Sequence, residues 1–444
     1  MKFDHIALEA PEILLPRKGI DLTKWAVVAC DQYTSQPEYW EEVRRRVGED
    51  PSTFHLILPE AYLKGCDPEE ESRRIEEAMN RYLETGVLVS MGRGFILVER
   101  TMPGGAVRKG LVAALDLERY DYHQGSQSLI RATEGTVVDR LPPRTRIRRN
   151  APLELPHIMV LIDDPEKTVI EPLFAGDREP VYDFELMQGG GHIRGWRIGS
   201  AEAVGSVARA IERLADPRAF REKYGVQSSE VLLYAMGDGN HSLATAKEIW
   251  EGIKASAPDA GEVMDHPARY ALVELVNLHD TGLVFEPIHR VVFNAGADGL
   301  LKSMEDFFTA QGSAFSVQQQ PDGRFEPYPA KEPGTHVFSF VSLEKSGIIT
   351  LSQPALTLEA GSLQAFLDAY TAAHPEVAVD YIHGDDTLAS LASRPQTVGF
   401  YLPAISKHEL FRTIIVDGVL PRKTFSMGHA HEKRFYLECR KITR

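Results

Sequence analysis

Cysteine is scarce. Cys30, Cys66 and Cys439 are the three in 444 residues, too scattered to form a zinc-like pair, and they read as reduced structural thiols in an intracellular setting. No stretch approaches 18 unbroken apolar residues, so no transmembrane helix and no membrane partner are expected. The opening Met1-Lys2-Phe3-Asp4-His5 carries charges where a secretory leader needs an apolar run, and a cytoplasmic protein is expected. Positive charge is also short: 49 Lys and Arg against 64 Asp and Glu give a formal charge of −15. That balance argues against nonspecific binding to nucleic acid or an anionic membrane, since both need a positive face. It leaves room for a local basic pocket. Missing too are a solenoid or propeller repeat, a Walker loop, a dinucleotide glycine fingerprint, a nucleophile elbow and a zinc-protease helix motif.

What is present is an ordinary globular composition, 43% apolar and 25% charged, long enough for two or three domains or one elaborated core. Hydrophobic periodicity alternates between the two main elements. Ala26 to Cys30 and Ile158 to Ile162 read as strands, as do Gly94 to Glu99 and Leu111 to Leu117 around a glycine turn. Helical spacing covers Pro37 to Arg46, Glu69 to Thr85 and Ala201 to Leu214. "ALVELVNL" and "LVFEPIHRVVF" read as paired strands separated by "HDTG", and "HVFSFVSLEKSGIITL" as a hairpin. The C-terminal "KTFSMGHAHEKRFYLECRKI" reads as two strand-like runs around a polar turn. The expected class is α+β, a mixed α/β core with additional β-rich segments. Residues 1–315 form the expected main core, 316–336 a loop or linker, and 337–444 a C-terminal portion packed on the core or separate from it.

The densest chemistry lies in "LLYAMGDGNHSLATAKEIWE". Val231 to Ala235 is continuous and apolar, as a buried strand is; Leu243, Ala246, Ile249, Trp250 and Ile253 then repeat at helical spacing. Asn240 is the expected N-cap, and two glycines free the backbone for a sharp turn. Such a strand-to-helix corner offers unpaired N–H groups and the positive end of a helix dipole to an anion. Gly239, Asn240 and Ser242 are therefore phosphate-binding candidates, and Asp238 a ligand for magnesium, a hard cation that prefers carboxylate oxygen. His241, in the first turn, can bind phosphate or transfer a proton. The bland alternative is a corner that only caps its helix.

Other candidates are spread along the chain. Arg131, Arg140, Arg144, Arg146, Arg148 and Arg149 crowd one stretch, either solvated and carboxylate-paired or brought onto an anionic substrate. Arg131, Arg144 and Arg149 are the candidate clamps, and Glu134 the candidate base for a substrate hydroxyl. His289 and Arg290 sit in a strand-like run, where they point to opposite faces, and Lys423 stands beside another; all three are phosphate-site candidates. Asn277 and Asp280 flank a turn, and His429 with His431 lack a third metal ligand nearby.

The order of these motifs resembles the family catalogued as domain of unknown function 1015. Its Asp-Gly-His-His-Arg-Tyr turn corresponds to Asp238-Gly239-Asn240-His241-Ser242-Leu243. Its Asn-x-x-Asp-x-Gly-Leu…Pro-x-His-Arg segment corresponds to Asn277, Asp280, Gly282, Pro287, His289 and Arg290. "IRATEGT" with Asp139, Arg144 and Asn150 matches a further region in part, and "LPRKTFS" retains Lys423. The Asp-Gly-x-His turn is similar to one in the sulfiredoxin and ParB-like nucleotide-binding superfamily, which includes a free-serine kinase. That resemblance implies a ParB/sulfiredoxin-like strand-turn-helix unit, ATP or ADP (CTP as an open alternative) with Mg2+, and phosphoryl transfer to a small hydroxyl compound. Two departures matter: Asn240 and Ser242 replace the family's His and Arg, removing a bidentate phosphate grip. Ala132 and Thr133 replace an Arg-His pair, while Glu134 survives.

The expectation is therefore a cytoplasmic phosphotransferase with a nucleotide and a small-molecule substrate as partners; a homo-oligomer is left open. A nucleotide or small-ligand sensor without turnover, and a phosphohydrolase, are the alternatives.

Overall fold

The computed structural model describes every residue except 64, 124, 136–140, 229, 321–325 and 422, with the side chains of 141–143 and 408 also left aside. Asp139 and Arg140 of the arginine-rich stretch lie outside the described residues. The chain is a mixed α/β protein with eleven helices among the described residues, and it falls into two compact units. The first comprises Met1–Val284 and Gly428–Arg444, the second Phe285–Met427. The segment 316–336 read as a linker lies inside the second unit, and its first residues belong to an edge strand, Ala314–Gln320.

The first unit is built on an eleven-stranded sheet. Phe95–Thr101 and Val107–Asp116 form the expected hairpin, with Gly105 at the turn in a left-handed conformation, φ 85°. Tyr270–Asn277, buried along its whole length, pairs antiparallel with Val107–Asp116 on one side and parallel with Met159–Ile162 on the other. Met159–Ile162 then pairs antiparallel with Tyr234–Asp238, which lies parallel to Ile130–Arg131. A buried interior strand exposes neither face to water, which is why "ALVELVN" is mostly apolar on both faces rather than alternating. It carries one buried charge, Glu274, held by Arg434.

Residues 428–444 are stitched into this unit by pairings to distant segments. Phe435–Tyr436 pairs with Val27–Val28, and Arg440–Lys441 with Leu153–Glu154. Cys439 bridges to Leu14. Charge locks the same segment. Arg434 reaches Glu274 and Glu438, and Arg440 reaches Glu154, all of them buried. The two runs of the C-terminal piece thus do not pair with each other as a hairpin. Phe425–Met427 pairs with Phe285–Pro287 in the second unit instead.

The second unit is a six-stranded antiparallel sheet in the order 314–320, 346–352, 335–342, 397–401, 289–293, 378–382. Alternation sends Val292, Phe338, Phe340, Ile349 and Phe400 toward a core shared with helices Ala297–Ala310 and Glu359–Ala373. Val291 and Tyr401 join Leu388 in a second, smaller core. The runs "ALVELVNL" and "LVFEPIHRVVF", expected to pair, do not: the boundary falls after Val284, inside the second run, and its strands Phe285–Pro287 and His289–Phe293 lie in other sheets.

Candidate functional site

The strand Tyr234–Asp238 hands over directly to the helix Asn240–Ser256. Gly239 makes the corner. Its φ of 81° and ψ of 28° lie in the left-handed region, and a Cβ there would sit 3.1 Å from Ile158 Cα and 3.2 Å from its Cγ1. Gly239 therefore takes the N-cap position expected for Asn240, which becomes the first helical residue, and no side chain among the described residues caps the helix. The amides of Ser242 and Leu243 both donate to the Gly239 carbonyl at 3.0 Å. An uncapped first turn of a 17-residue helix presents donors and positive dipole at its mouth. The helix is anchored from below by Leu243, Ala244, Ala246 and Trp250, all buried, whereas Ile249 and Ile253 are only half-buried.

Charge is concentrated at this corner. Asp238 is half-buried; its Oδ2 lies 3.1 Å from the Lys433 ammonium and its Oδ1 accepts from the Gly239 amide at 2.9 Å. Burial pushes the Asp238 carboxyl up, but Lys433 and then His157 outweigh it and hold the group below the ordinary aspartate range. His157, buried at the head of the strand Met159–Ile162, uses both ring nitrogens. Nε2 is 3.1 Å from Ser242 Oγ and Nδ1 is 2.7 Å from the Tyr436 hydroxyl. The Tyr436 hydroxyl in turn donates to Cys30 Sγ at 3.1 Å. Asp31 Oδ2 stands 3.9 Å from His157 Nε2. Burial, and after it Asp31, pushes the Cys30 thiol up to about 12, so it stays protonated near neutrality.

A cavity of about 150 Å³ opens beside the corner. At roughly 10–15 Å³ of such volume per water, it accommodates a small anionic group with several waters. His157, Ser242, Thr245, Tyr436, Glu60 and Arg144 are among its polar lining, against a background of aliphatic side chains. Arg144 is paired with Glu60, and burial, opposed by Arg144, raises the Glu60 carboxyl above its usual value. Arg148, one helical turn on, pairs with Glu154 at 2.5 Å and lines the same space. Spacing of four along the helix Leu141–Arg149 puts both guanidinium groups on one face.

The predicted residues distribute unevenly over this geometry. Asp238, Gly239, Asn240, His241 and Ser242 share the corner, and Arg144 joins Ser242 in the cavity lining. The buried Oδ1 of Asn240 has no hydrogen-bond partner among the described residues. Glu134 is half-buried and follows the strand Ile130–Arg131. Because that strand is parallel to Tyr234–Asp238, both chains emerge at the same end of the sheet. Arg131 is buried and donates to the carbonyls of Ser128 at 2.8 Å and Glu230 at 3.1 Å; burial pushes it down to about 10. Arg149 is exposed and faces a different groove, lined also by Glu248, Ile253 and Arg444.

His289, Arg290 and Lys423 belong to the second unit. His289 is buried, 3.0 Å from Asp385 through Nε2, and accepts from the Leu402 amide at Nδ1. Arg290 is buried against Gln364 and the Ile288 carbonyl, and both it and Lys423 stack over Tyr381, at 4.6 and 5.0 Å from the ring centre. Sequence reasoning missed His157, Tyr436, Lys433, Cys30 and Glu60. The one local signal was a histidine at the head of an otherwise apolar strand, in "LPHIMVLI".

The family described as "Protein of unknown function (DUF1015)" matches residues 14–370. No curated protein matches the chain. Among solved structures, free serine kinase in complex with AMP is similar at 12% identity and a TM-score of 0.36, covering 75% of this chain and 91% of that one. A conserved hypothetical protein from Pyrococcus furiosus is similar at 12% identity and a TM-score of 0.35, covering 75% and 95%. SbnI with a C-terminal truncation, from Staphylococcus aureus, is similar at 9% identity and a TM-score of 0.35, covering 71% and 82%.

Proposed function

This chain belongs to the DUF1015 family, whose description names no activity, and we propose one from the geometry: a nucleotide- and magnesium-dependent phosphotransferase acting on a small hydroxyl-bearing metabolite. The observation that carries this reading is the uncapped helix mouth at a left-handed Gly239, with Lys433 beside it and a cavity reaching Arg144. Oriented amides and cations with little covalent machinery are what phosphoryl transfer needs. In this proposal the amides after Gly239 bind a phosphate, Lys433 and Arg144 neutralise its charge, and His241 binds phosphate or moves a proton. Glu134, at the same sheet end, takes the acceptor's proton. Arg131, spent on two carbonyls, positions its own loop, and Arg149 serves another groove.

Magnesium is tested by the donor set. Among the described residues no three His, Cys, Asp or Glu gather as a cage. Magnesium asks for less: one or two protein oxygens, with phosphates and water completing its shell. The Asp238 carboxylate and the unpartnered Oδ1 of Asn240 fit that role. When bound, the ion would offset charge on the transferring group.

The test is a thermal-shift titration with ATP, ADP, CTP and pyrophosphate, with and without magnesium, followed by phosphorus NMR with serine-like acceptors. Ligand at one hundred times its Kd stabilises by about 2.7 kcal/mol, roughly 3–4 °C at this size. Asp238→Asn is expected to abolish the magnesium dependence. Binding without turnover favours a sensor, phosphate release without acceptor a hydrolase, and no binding by any of the four ligands removes the proposal.

A further inference from the structure

The serine in the first turn is placed unlike a capping serine. Gly239 occupies the cap position, and the Ser242 hydroxyl instead lies 3.1 Å from His157 Nε2. Thr245, one turn along, shows the ordinary alternative, its hydroxyl bonded back to the His241 carbonyl at 2.7 Å. The imidazole is fixed from its far side by the Tyr436 hydroxyl at 2.7 Å, and that hydroxyl has a second partner in Cys30 Sγ. A hydroxyl, a base in contact with it and a third group orienting the base are the parts of an activated nucleophile. Ser242, His157 and Tyr436 all line the cavity, so the hydroxyl has space in front of it. Ser242 stands in the first turn of its helix, whose positive dipole end favours negative charge building on a group attacked there.

We propose that Ser242 is a nucleophile toward phosphorus, with His157 as its general base and Tyr436 as a positioning residue. This rests on the phosphotransferase reading and deepens it. The Ser242 Oγ–P bond forms as the bond from phosphorus to the leaving oxygen of a nucleoside triphosphate breaks, and a nucleoside diphosphate departs with that electron pair. The Ser242 proton passes to His157 Nε2, whose Nδ1–H faces the Tyr436 oxygen; Tyr436 directs its own proton to Cys30 Sγ. Asp31 Oδ2 stands 3.9 Å from that Nε2. The acceptor hydroxyl then attacks the phosphoserine and releases Ser242, which recovers its proton from His157 while the acceptor's own proton passes to Glu134.

The test separates this step from nucleotide binding. Full-length protein is treated with a fluorophosphonate, which bonds to an activated serine with loss of fluoride. The modified peptide is located by mass spectrometry, alongside nucleotide titrations on the same samples. Labelling at Ser242, absent in Ser242→Ala and at least tenfold slower in His157→Gln, is expected. Tyr436→Phe is expected to slow labelling severalfold while nucleotide affinity holds. Wild-type nucleotide binding and turnover with no label on Ser242, and undiminished turnover in Ser242→Ala, would overturn the nucleophile while sparing the phosphotransferase. Label on Ser242 with no nucleotide bound would leave an activated serine and remove the nucleotide. Where His157→Gln loses its cooperative melt, the Ser242→Ala comparison decides.

Discussion

Replacing Gly239 by alanine tests whether the corner is as constrained as its geometry implies. Two costs add. A left-handed conformation costs a residue with a Cβ roughly 1–2 kcal/mol, and the new carbon would lie 3.1 Å from Ile158 Cα, a backbone atom that cannot rotate away. Crowding of that kind costs about 1–3 kcal/mol. The smaller freedom of alanine in the unfolded chain returns about 0.4–1 kcal/mol. The net loss expected is about 1–4.5 kcal/mol, or roughly 2–7 °C in Tm at about 1.6 °C per kcal/mol for a unit of this size. Gly252 supplies the control. It lies in the same helix, with nothing among the described residues within 4 Å of its added carbon, so Gly252→Ala should gain about 0.5–1 kcal/mol from helix propensity alone. Urea titrations followed by far-UV circular dichroism measure both. A Gly239→Ala protein as stable as wild type, or a Gly252→Ala protein that loses the same amount, refutes the reasoning.

Two further perturbations address each unit separately. Arg434→Met removes the nearest cation from the buried Glu274 and Glu438, leaving Glu274 with Arg108 at 3.8 Å and Glu438 with the Tyr182 hydroxyl at 2.6 Å. Breaking these buried pairs should cost up to about 3–5 kcal/mol by urea titration, part of it recovered when Glu438→Gln is added; a loss under about 1 kcal/mol would contradict this network. In the second unit, burial outweighs Asp385 and keeps the His289 pKa below the usual histidine value. The unfolded chain then takes up a proton that the fold resists. The His289 contribution is complete above about pH 6.5, the unfolded value, and falls as pH drops below it. His289→Gln should flatten that slope in a pH series of urea midpoints, and an unchanged slope would show that the ring titrates freely.

The legible parts of this protein are those whose chemistry is local. The apolar run ending at Asp238 and the helical spacing of Leu243, Ala246 and Trp250 locate the corner, because strand and helix each write their period into adjacent residues. The hairpin at residues 95–116 reads for the same reason. The cap did not read correctly: Asn is a strong N-cap by propensity, but the crowding of Ile158 at this corner needs a residue without a Cβ, and the boundary moved to Gly239. His157, Tyr436 and Lys433 were invisible because nothing nearby in sequence marks them. Tyr436 stands 279 positions from the histidine it touches, and only the pairing of Phe435–Tyr436 with Val27–Val28 brings it there. The arginine-rich stretch read as a single cationic feature and resolves into separate jobs. Arg144 and Arg148 face the cavity, while Arg131 braces a loop.

One consequence follows from the order in which a ribosome delivers these pieces. Lys433 and Tyr436 emerge only after the whole of Phe285–Met427. At 5–20 residues per second that intervening stretch occupies roughly 7–30 s. Throughout that interval the nascent polypeptide holds Asp238, His157 and Glu274 without their cationic and phenolic counterparts. A chain stopped inside that stretch would hold Glu274 without its nearest cation, Arg434, and His157 without its phenolic partner, Tyr436.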